Sequence, residues 1–426
     1  MNANPRQRVI ALNEGLTKLN QEKTMTKSKT QFRHTTTSIF HLNPRCRTKL
    51  LLNSTLIKCS AFLAINLLFA TISMNSLIAQ SFSFFQLDFN VQNESGFHVE
   101  NGKLFDGNDN EFIVRGVNFP FTWFFPDHLD AIDHIANCGA NTVRVVLASG
   151  QRWQRTNPDR VRWVIQECKK NDLICMLEVH DTTGYGEQEG AASLSEAVDY
   201  WIDIKDELQG EERYVLLNIG NEPFGNLRPG ETFQNTQLPL EWKPATINAI
   251  QRLRAEGFKH TLVVDGPNWG QDWTNTMRDN AAHVLHSDPD KNVLFSVHMY
   301  EVYENLHAIK DYLDPFLQNN LPVIVGEFGN MHNGMDIDED SIMQYAESNR
   351  IGYVAWSWSG NGEGAEHLDL VCDFDPDDLT GWGQQVLDGM NGIKKTSEIA
   401  SVYPIDSGPV IGFGPFISLL FDLFSL

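Results

Sequence analysis

The chain is poor in cysteine and lacks the common motifs that bind nucleotides or metals. Six cysteines occur among 426 residues, and their spacings fit neither a zinc site nor a Cys-x-x-Cys redox motif. No HExxH motif, no P-loop and no GxGxxG followed by a suitable helix is present. The usual sequence signals of a zinc enzyme, a thiol oxidoreductase or a nucleotide-binding enzyme are therefore missing.

Basic residues are scarce in most of the chain. Residues 1–79 hold 11 Lys/Arg and 2 Asp/Glu, which leaves 22 basic and 53 acidic residues from Gln80 onward, a net charge of −31. A body this acidic repels phosphates, so we expect neither a nucleic acid nor an anionic membrane surface as a partner. A neutral polymer or a cationic substrate is compatible with this charge.

A long apolar run occurs before the acidic body, from Ser60 to Ala79. It follows basic residues and ends in a small residue, as a secretory signal peptide does. We expect a secreted, extracellular protein cleaved near Ala79. Because the basic region before the run is unusually long, two alternatives stay open: translation starts later, for example at Met25, or the segment remains as an anchor that attaches the protein to the cell surface.

Four cysteines would remain in the exported chain: Cys138, Cys168, Cys175 and Cys372. An oxidising compartment permits disulfides, and Cys168 with Cys175 is the pair that the predicted elements favour. The alternative is that all four are small buried apolar residues.

Eight short apolar runs recur along the body, and helical segments lie between them. With helices as connections, all eight strands point the same way, and eight parallel strands close a barrel. The segment Gly96 to Glu111 has the turn residues of a hairpin, which we expect to close the bottom. The sequence therefore predicts an α/β fold, a (β/α)8 TIM barrel. The predicted strands are Phe112–Asn118, Thr142–Leu147, Leu173–Val179, Val215–Asn218, Thr261–Asp265, Val293–His298, Pro322–Gly326 and Tyr353–Ser357.

No Gly/Ser-rich or Pro-rich linker interrupts residues 96–403, so we expect one catalytic-size domain there, preceded by a leader (1–79) and a short connecting segment (80–95). Residues 404–426 form an apolar tail that contains Asp422 and is short for a membrane span. A docking peptide, a barrel-capping segment and altered coding all remain open for it.

Two of the predicted strands deliver a glutamate to the same end of the barrel. Glu222 follows the apolar run that begins at Tyr214, and Glu327 ends the run that begins at Leu321. The carboxyl ends of parallel barrel strands converge on one face, where catalysis is found. Two carboxylates on that face are the equipment for breaking a glycosidic bond.

Further polar or aromatic residues lie at the same strand ends. Each alone has a structural explanation, but together they indicate a site, because an apolar core would gain nothing from so many desolvated groups. Arg144 lies inside an apolar run and requires a carboxylate nearby. Glu178 lies before its strand end, so we interpret it as structural. The candidate substrate-binding residues are Arg144, His180, Asn221, His298, Tyr300 and Trp356, with Trp123 and Trp269 as further stacking platforms.

The two carboxylates require different protonation states. We expect Arg144 to keep Glu327 ionised as the nucleophile, and a more enclosed setting to keep Glu222 protonated as the acid/base. Tyr300 can donate to the nucleophile, and Asn221 can bond the sugar 2-hydroxyl. Trp356 offers a flat face to a pyranose ring.

The motifs Asn221-Glu222-Pro223 and Gly326-Glu327-Phe328-Gly329 resemble those of glycoside hydrolase family 5. The stretches 139–147, 177–181, 297–300 and 355–361 resemble the secreted bacterial endo-β-1,4-mannanases of that family, and the similarity runs from about Gly96 to Tyr403. This resemblance implies a (β/α)8 barrel, retention of anomeric configuration and no required cofactor or metal. It also implies Glu222 as acid/base, Glu327 as nucleophile, and a −1 subsite lined by Arg144, His180, Asn221, His298, Tyr300 and Trp356.

The expected activity is endo-acting, retaining hydrolysis of β-1,4-mannosidic bonds in mannan, glucomannan or galactomannan by a monomer. One alternative is an endo-β-1,4-glucanase that uses the same carboxylates. The other is a non-catalytic surface glycan-binding barrel, although a close pair of like charges has no use in a pure binder.

Overall fold

The computed structural model describes residues 95–226, 238–362 and 364–404. The predicted leader, the apolar tail and all but the last residue of the connecting segment lie outside these ranges. The strands, in chain order, are β1 (His98–Glu100), β2 (Lys103–Phe105), β3 (Arg115–Phe119), β4 (Thr142–Leu147), β5 (Ile174–Val179), β6 (Val215–Asn218), β7 (Leu262–Asp265), β8 (Val293–Met299), β9 (Val323–Phe328), β10 (Met331–His332), β11 (Met335–Asp336) and β12 (Gly352–Ala355).

Eight of these strands form a closed parallel barrel in the order β12-β3-β4-β5-β6-β7-β8-β9. Every residue of the eight is buried, because helices cover the outside and side chains fill the inside. The predicted (β/α)8 barrel is thus confirmed. Most predicted strands match to within two residues, while β3 begins at Arg115, three residues after the predicted start.

The hairpin β1–β2 closes the bottom of the barrel, as expected. Asn101 and Gly102 form its turn with φ of 49° and 78°, the left-handed pair that a two-residue hairpin needs. Side chains from the hairpin region pack with inward-facing residues at the start of the barrel strands. This bottom cluster contains Phe97, Leu104, Phe112, Val114, Ile174, Met176, Leu216, Val263, Leu294, Ile324, Val354, Ala400 and Tyr403.

Helices follow most of the barrel strands. Typical start signals are present: Asn157 caps its helix by accepting from the Arg160 N–H at 3.0 Å, with Pro158 at the first helical position. The helix before β4 begins at Ala131 and cannot extend back past His128, whose φ of 55° lies outside the helical region. The helices are Phe121–Phe124, Ala131–Asn137, Pro158–Lys170, Leu194–Asp203, Leu238–Ala255, Thr276–Ser287, Leu306–Gln318, Glu339–Ser348, Gly381–Asp388 and Ile393–Thr396.

Two helix tryptophans fix the upper ends of neighbouring strands. The Trp201 indole N–H donates to the Ile219 carbonyl at 2.9 Å, and the Trp242 indole N–H donates to the Asp265 carbonyl at 2.7 Å. Both tryptophans are fully buried. These bonds satisfy carbonyls that have left the β-ladder, so the outer helices help to set the backbone at the mouth of the barrel.

The four cysteines of the barrel are free thiols, so the expected Cys168–Cys175 disulfide is not formed in this structure. Burial raises the pKa of the Cys175 thiol, and a hydrogen bond with Cys168 raises it further. The alternative of four buried cysteines is wrong as well, because Cys372 is exposed and Cys138 is half-buried. Within the described ranges, no helix has the length and apolar character needed to span a bilayer.

A buried ion pair should be among the most important single contacts for barrel stability. Arg254 donates from Nε and Nη2 to the two oxygens of Asp288, both at 2.9 Å, and the two side chains are 3% and 0% exposed. Arg254→Met leaves a buried carboxylate unpaired, so we expect a loss of about 3–5 kcal/mol of unfolding free energy in denaturant titrations.

Arg155→Met is the matched control. Its ion pair with Asp203 is 42% and 62% exposed, and such pairs contribute at most about 1 kcal/mol. Equal losses in the two variants would contradict the importance of burial.

Candidate active site

The two predicted catalytic carboxylates face each other at the mouth of the barrel. Glu222 lies on the loop after β6, and Glu327 lies in β9. Three atoms lie within 4.8 Å of one another: one carboxylate oxygen of Glu222, one of Glu327, and a ring nitrogen of His298. Retaining glycosidases hold their carboxyl groups roughly 5–5.5 Å apart, and inverting ones roughly 6.5–9.5 Å. The spacing therefore fits double displacement through a covalent intermediate.

Both oxygens of Glu327 accept hydrogen bonds. Arg144 Nη1 donates to Oε1 at 2.8 Å, and the Tyr300 hydroxyl donates to Oε2 at 3.0 Å. Burial raises the pKa of Glu327, while the positive charges of His298 and Arg144 oppose that rise. The expected contacts of Arg144 and Tyr300 with the nucleophile are thus present, and both favour the ionised carboxylate.

The expectation that Glu222 is the more enclosed carboxylate is wrong. Its side chain is 12% exposed, against 5% for Glu327. The reason is that Glu327 is part of a barrel strand, whereas Glu222 follows the end of its strand, at a positive φ of 41°. Burial therefore does not separate the two roles. Direct contact with a guanidinium distinguishes Glu327, and greater access to water suits a group that exchanges protons.

His298 lies between the two carboxylates. Its Nδ1 is 2.8 Å from Glu222 Oε1 and 3.4 Å from Glu327 Oε2. Its Nε2 is 3.2 Å from Asp265 Oδ2, although it is not aimed along a hydrogen bond. Burial alone would lower the pKa of His298, but Glu327 and Asp265 raise it to about 10. At neutral pH the residue is therefore an imidazolium.

Asp265, at the end of β7, is a site residue that the sequence analysis did not name. It accepts from Asn218 Nδ2 at 3.0 Å and from the Glu222 backbone N–H at 3.2 Å. Burial alone would raise its pKa, but His298 and Arg144 lower the pKa of Asp265 to about 2. The sequence could have indicated Asp265, because it is a polar residue at the end of a predicted strand, like the residues that were named.

Arg144 is fully buried and is the most connected residue of the site. Its Nη2 donates to Asn221 Oδ1 at 2.7 Å, and the Asn221 amide in turn donates to Thr183 Oγ1 at 2.8 Å. Two asparagines missed from the sequence complete the set: Asn118 accepts from Nη1 and Asn218 from Nε. Both stand at the polar ends of predicted strands, so the same rule could have found them.

An aromatic cluster lies beside the charged network. The His180 ring stacks on Trp356 at 5.6 Å and meets Trp123 edge-on at 5.0 Å. Glu178 accepts from His180 Nδ1 at 2.8 Å, which fits its predicted structural role. Trp153 was missed: its ring lies 5.3 Å from Trp123 and 5.5 Å from His180. It lies on an irregular loop, where no periodic pattern marks it.

Trp269 lies against the loop after β5. Its indole N–H donates to Glu187 at 2.7 Å, and its ring packs so closely on Gly184 that a Cβ there would meet the ring at 2.4 Å. The structure thus brings Arg144, Asn221, Glu222, His298, Tyr300 and Glu327 into one network, with His180, Trp123 and Trp356 beside it. A stacking role for Trp269 stays a prediction.

Comparison with known proteins identifies the family of this site. The protein-family model described as Cellulase (glycosyl hydrolase family 5) matches residues 105–362. The chain belongs to glycosyl hydrolase family 5.

Two curated relatives cover most of the barrel. The mannan endo-1,4-beta-mannosidase of Streptomyces lividans is 51% identical over 321 residues, which span 75% of this chain and 81% of that protein. The protein of the same name from Cellvibrio japonicus (strain Ueda107) is 49% identical, over 74% of this chain and 70% of its own length.

A solved family 5 structure also matches. The mannohexaose complex of Thermomonospora fusca beta-mannanase is similar to this chain with a TM-score of 0.69 and 55% identity. The match covers 73% of this chain and 100% of that one.

Three candidate residues of this site also form a cluster with the geometry of a metal site. Glu222, His298 and Glu327 each offer one ligand atom. A histidine must be neutral to bind a metal, yet the pKa of His298 is raised to about 10. In its imidazolium form His298 carries a proton on each nitrogen, and its charge is paired with the two carboxylates.

The charge on His298 should make stability depend on alkaline pH. Its pKa is about 10 in the folded protein and roughly 6.5 in an unfolded chain. The stabilisation is complete below about pH 6.5 and is lost as the pH rises through 10. We expect the unfolding free energy of wild type to exceed that of His298→Gln by a few kcal/mol near pH 7, in denaturant titrations between pH 6 and 10.5.

That difference should shrink steadily towards pH 10. A difference that stays constant across this range would show that His298 is not an imidazolium in the folded protein.

Proposed function

We propose that this protein is an endo-acting, retaining hydrolase of internal β-1,4-mannosidic bonds in mannan, glucomannan or galactomannan. The observation that carries the proposal is the Glu222–Glu327 pair at the mouth of the barrel, with one oxygen of each carboxylate within 4.8 Å of the other, a spacing compatible with retention. The names of the close relatives supply the substrate class, since they describe mannan endo-1,4-beta-mannosidases and a mannohexaose complex.

In the first step, Glu327 attacks the anomeric carbon while Glu222 gives a proton to the leaving glycosidic oxygen. Arg144 and Tyr300 each occupy one oxygen of Glu327, which fixes the direction of attack. The glycosyl group is then bonded to Glu327, and the leaving chain carries the proton from Glu222.

In the second step, Glu222 takes a proton from water, and the resulting hydroxide equivalent attacks the same carbon and releases Glu327. The 12% exposure of the Glu222 side chain is consistent with water reaching it. Asn221 is held by Arg144 and Thr183 and offers an amide to the sugar 2-hydroxyl. Trp356, half-exposed after β12, offers its face to the sugar ring.

An endo-β-1,4-glucanase remains the alternative within the family. Mannan and glucan units differ in the axial or equatorial 2-hydroxyl, so the choice depends on contacts around one oxygen. The roughly 50% identity to mannosidases over the whole barrel favours mannan.

We also propose that the protein is secreted and acts as a monomer. The apolar run Ser60–Ala79 after basic residues supports export, and an insoluble or polymeric substrate has to be met outside the cell. Attachment to the cell surface by an uncleaved leader is the competing outcome. Fractionation of the source cells, with the N-terminus of the released protein sequenced, decides between them.

The substrate class is tested by reducing-end release from glucomannan, galactomannan and carboxymethylcellulose, assayed side by side. We expect strong release from the two mannans and little from the cellulose derivative. The opposite preference would support the glucanase, and no release from any of the three would support a glycan-binding protein.

The two roles are tested with Glu222→Gln and Glu327→Gln, with Glu100→Gln at the exposed hairpin as control. Loss of general acid catalysis should lower kcat on mannan by about 10²–10⁴-fold in Glu222→Gln. An aryl β-mannobioside needs no proton for its good leaving group, so Glu222→Gln should still release a burst of phenol. Glu327→Gln should release none, and phenol release by Glu327→Gln but not by Glu222→Gln would reverse the assignment.

A further inference from the structure

A second acid–imidazole pair borders the active site. Glu301 follows β8, and His332 ends β10 in the small hairpin after β9. His332 Nδ1 donates to Glu301 Oε2, and Asn333 Nδ2 donates to Oε1 at 3.1 Å. Glu301 is only 1% exposed, so this buried carboxylate needs both donors. The hairpin β10–β11 is thereby tied to the loop after β8.

The contact with Glu301 fixes how His332 presents its other nitrogen. Because Nδ1 is used by Glu301, the Nε2–H points away from the pair, and it has no protein partner among the described residues. The His332 side chain is 36% exposed. The structure therefore holds an oriented N–H donor that is open to solvent.

The surroundings of His332 favour the charged form of its ring. Burial opposes the charge on His332, but Glu301 raises the pKa of His332, and the negative charges of Glu222 and Glu327 raise it further. Although burial acts against ionisation of Glu301 too, His332 and Asn333 lower its pKa. A hydrogen bond donated by an imidazolium is stronger than one from a neutral ring.

The barrel order defines the side of the site on which His332 lies. Going round the barrel from β9 to β6, one path crosses β12, β3, β4 and β5, and the other crosses β8 and β7. The aromatic cluster follows the strands of the first path. His332 leans towards the second path, with its ring 4.8 Å from that of Tyr300, which donates to the nucleophile. The tryptophans therefore lie on one side of the Glu222–Glu327 pair and His332 on the other.

We propose that His332 is a substrate-binding residue whose Nε2–H donates to a hydroxyl of the leaving sugar, next to the bond that is cleaved. If Trp356 stacks the sugar that is attacked, the leaving chain extends to the side of Tyr300 and His332. Glu301 and Asn333 are positioning residues that hold the imidazole. This inference rests on the proposed glycosidase function and adds a specificity contact to it.

The test compares two leaving groups. Mannohexaose places a sugar beyond the cleaved bond, whereas an aryl β-mannobioside places an aryl group there without sugar hydroxyls. For His332→Ala we expect kcat/KM on mannohexaose to fall about 10- to 100-fold, as for loss of a charged hydrogen bond, with the aryl substrate changed less than about twofold.

Two further variants keep the test decisive. His332→Gln retains one donor for Glu301 but has no second nitrogen, so it should fold even if His332→Ala does not, and show the same contrast between substrates. His367→Ala is the control for the hairpin, because the half-buried His367 also contacts the hairpin, through the Met331 carbonyl at 3.0 Å. It should leave both substrates nearly unchanged.

An equal fall on both substrates would overturn the proposal, since it would show that His332 acts through Tyr300 and Glu327. No fall on either substrate would overturn it too. If wild type prefers cello-oligosaccharides, the mannan assignment is wrong, and the same contrast is measured with cellohexaose and an aryl cellobioside. Absence of hydrolysis of every glycan would overturn both proposals.

Discussion

The site depends on the burial of one guanidinium charge. Arg144 is fully removed from water, which would cost several kcal/mol without partners. Its partners come from β3, β6, β7 and β9 or the loops that follow them: Asn118, Asn218, Asn221, Asp265 and Glu327. Because four other strands supply these groups, the charge is satisfied only when the barrel has closed. The contacts that satisfy Arg144 in the closed barrel are therefore also the contacts that orient Glu327.

A second cation completes the charge balance. The charge of Glu222 raises the pKa of Glu327, and His298 Nδ1 lies within 3.4 Å of an oxygen of each carboxylate. Asp265 lies 3.2 Å from His298 and 3.2 Å from Arg144, so a permanent negative charge allows two cations to share one small space. The two candidate carboxylates, Glu222 and Glu327, are therefore surrounded by paired charges. Removing one member therefore disturbs the charge balance of the others.

The sequence predicted the barrel and most of the network because both follow from local patterns. Apolar runs of strand length ending in polar residues mark the mouth of a parallel barrel, and Asp265, Asn118 and Asn218 obey the same rule although they were not named. Trp153 could not be found this way, because a loop position is set by packing and not by period. The relative exposure of Glu222 and Glu327 was also out of reach, since the predicted strand Pro322–Gly326 ended before Glu327, whereas the folded strand continues through it to Phe328.

The placement of Glu222 shows why the proposed acid and the proposed nucleophile need different support. Its φ of 41° is a conformation that costs about 1–3 kcal/mol. The backbone is held on both sides: its N–H donates to Asp265, and its carbonyl accepts from Gly184 at 3.0 Å.

Gly184 is covered in turn by the Trp269 ring, so loops after two other strands fix the backbone of the acid. The nucleophile is fixed through its side chain by a permanent guanidinium. A residue that changes protonation state twice in each turnover needs a position that does not depend on its own charge, and packing of the backbone provides it.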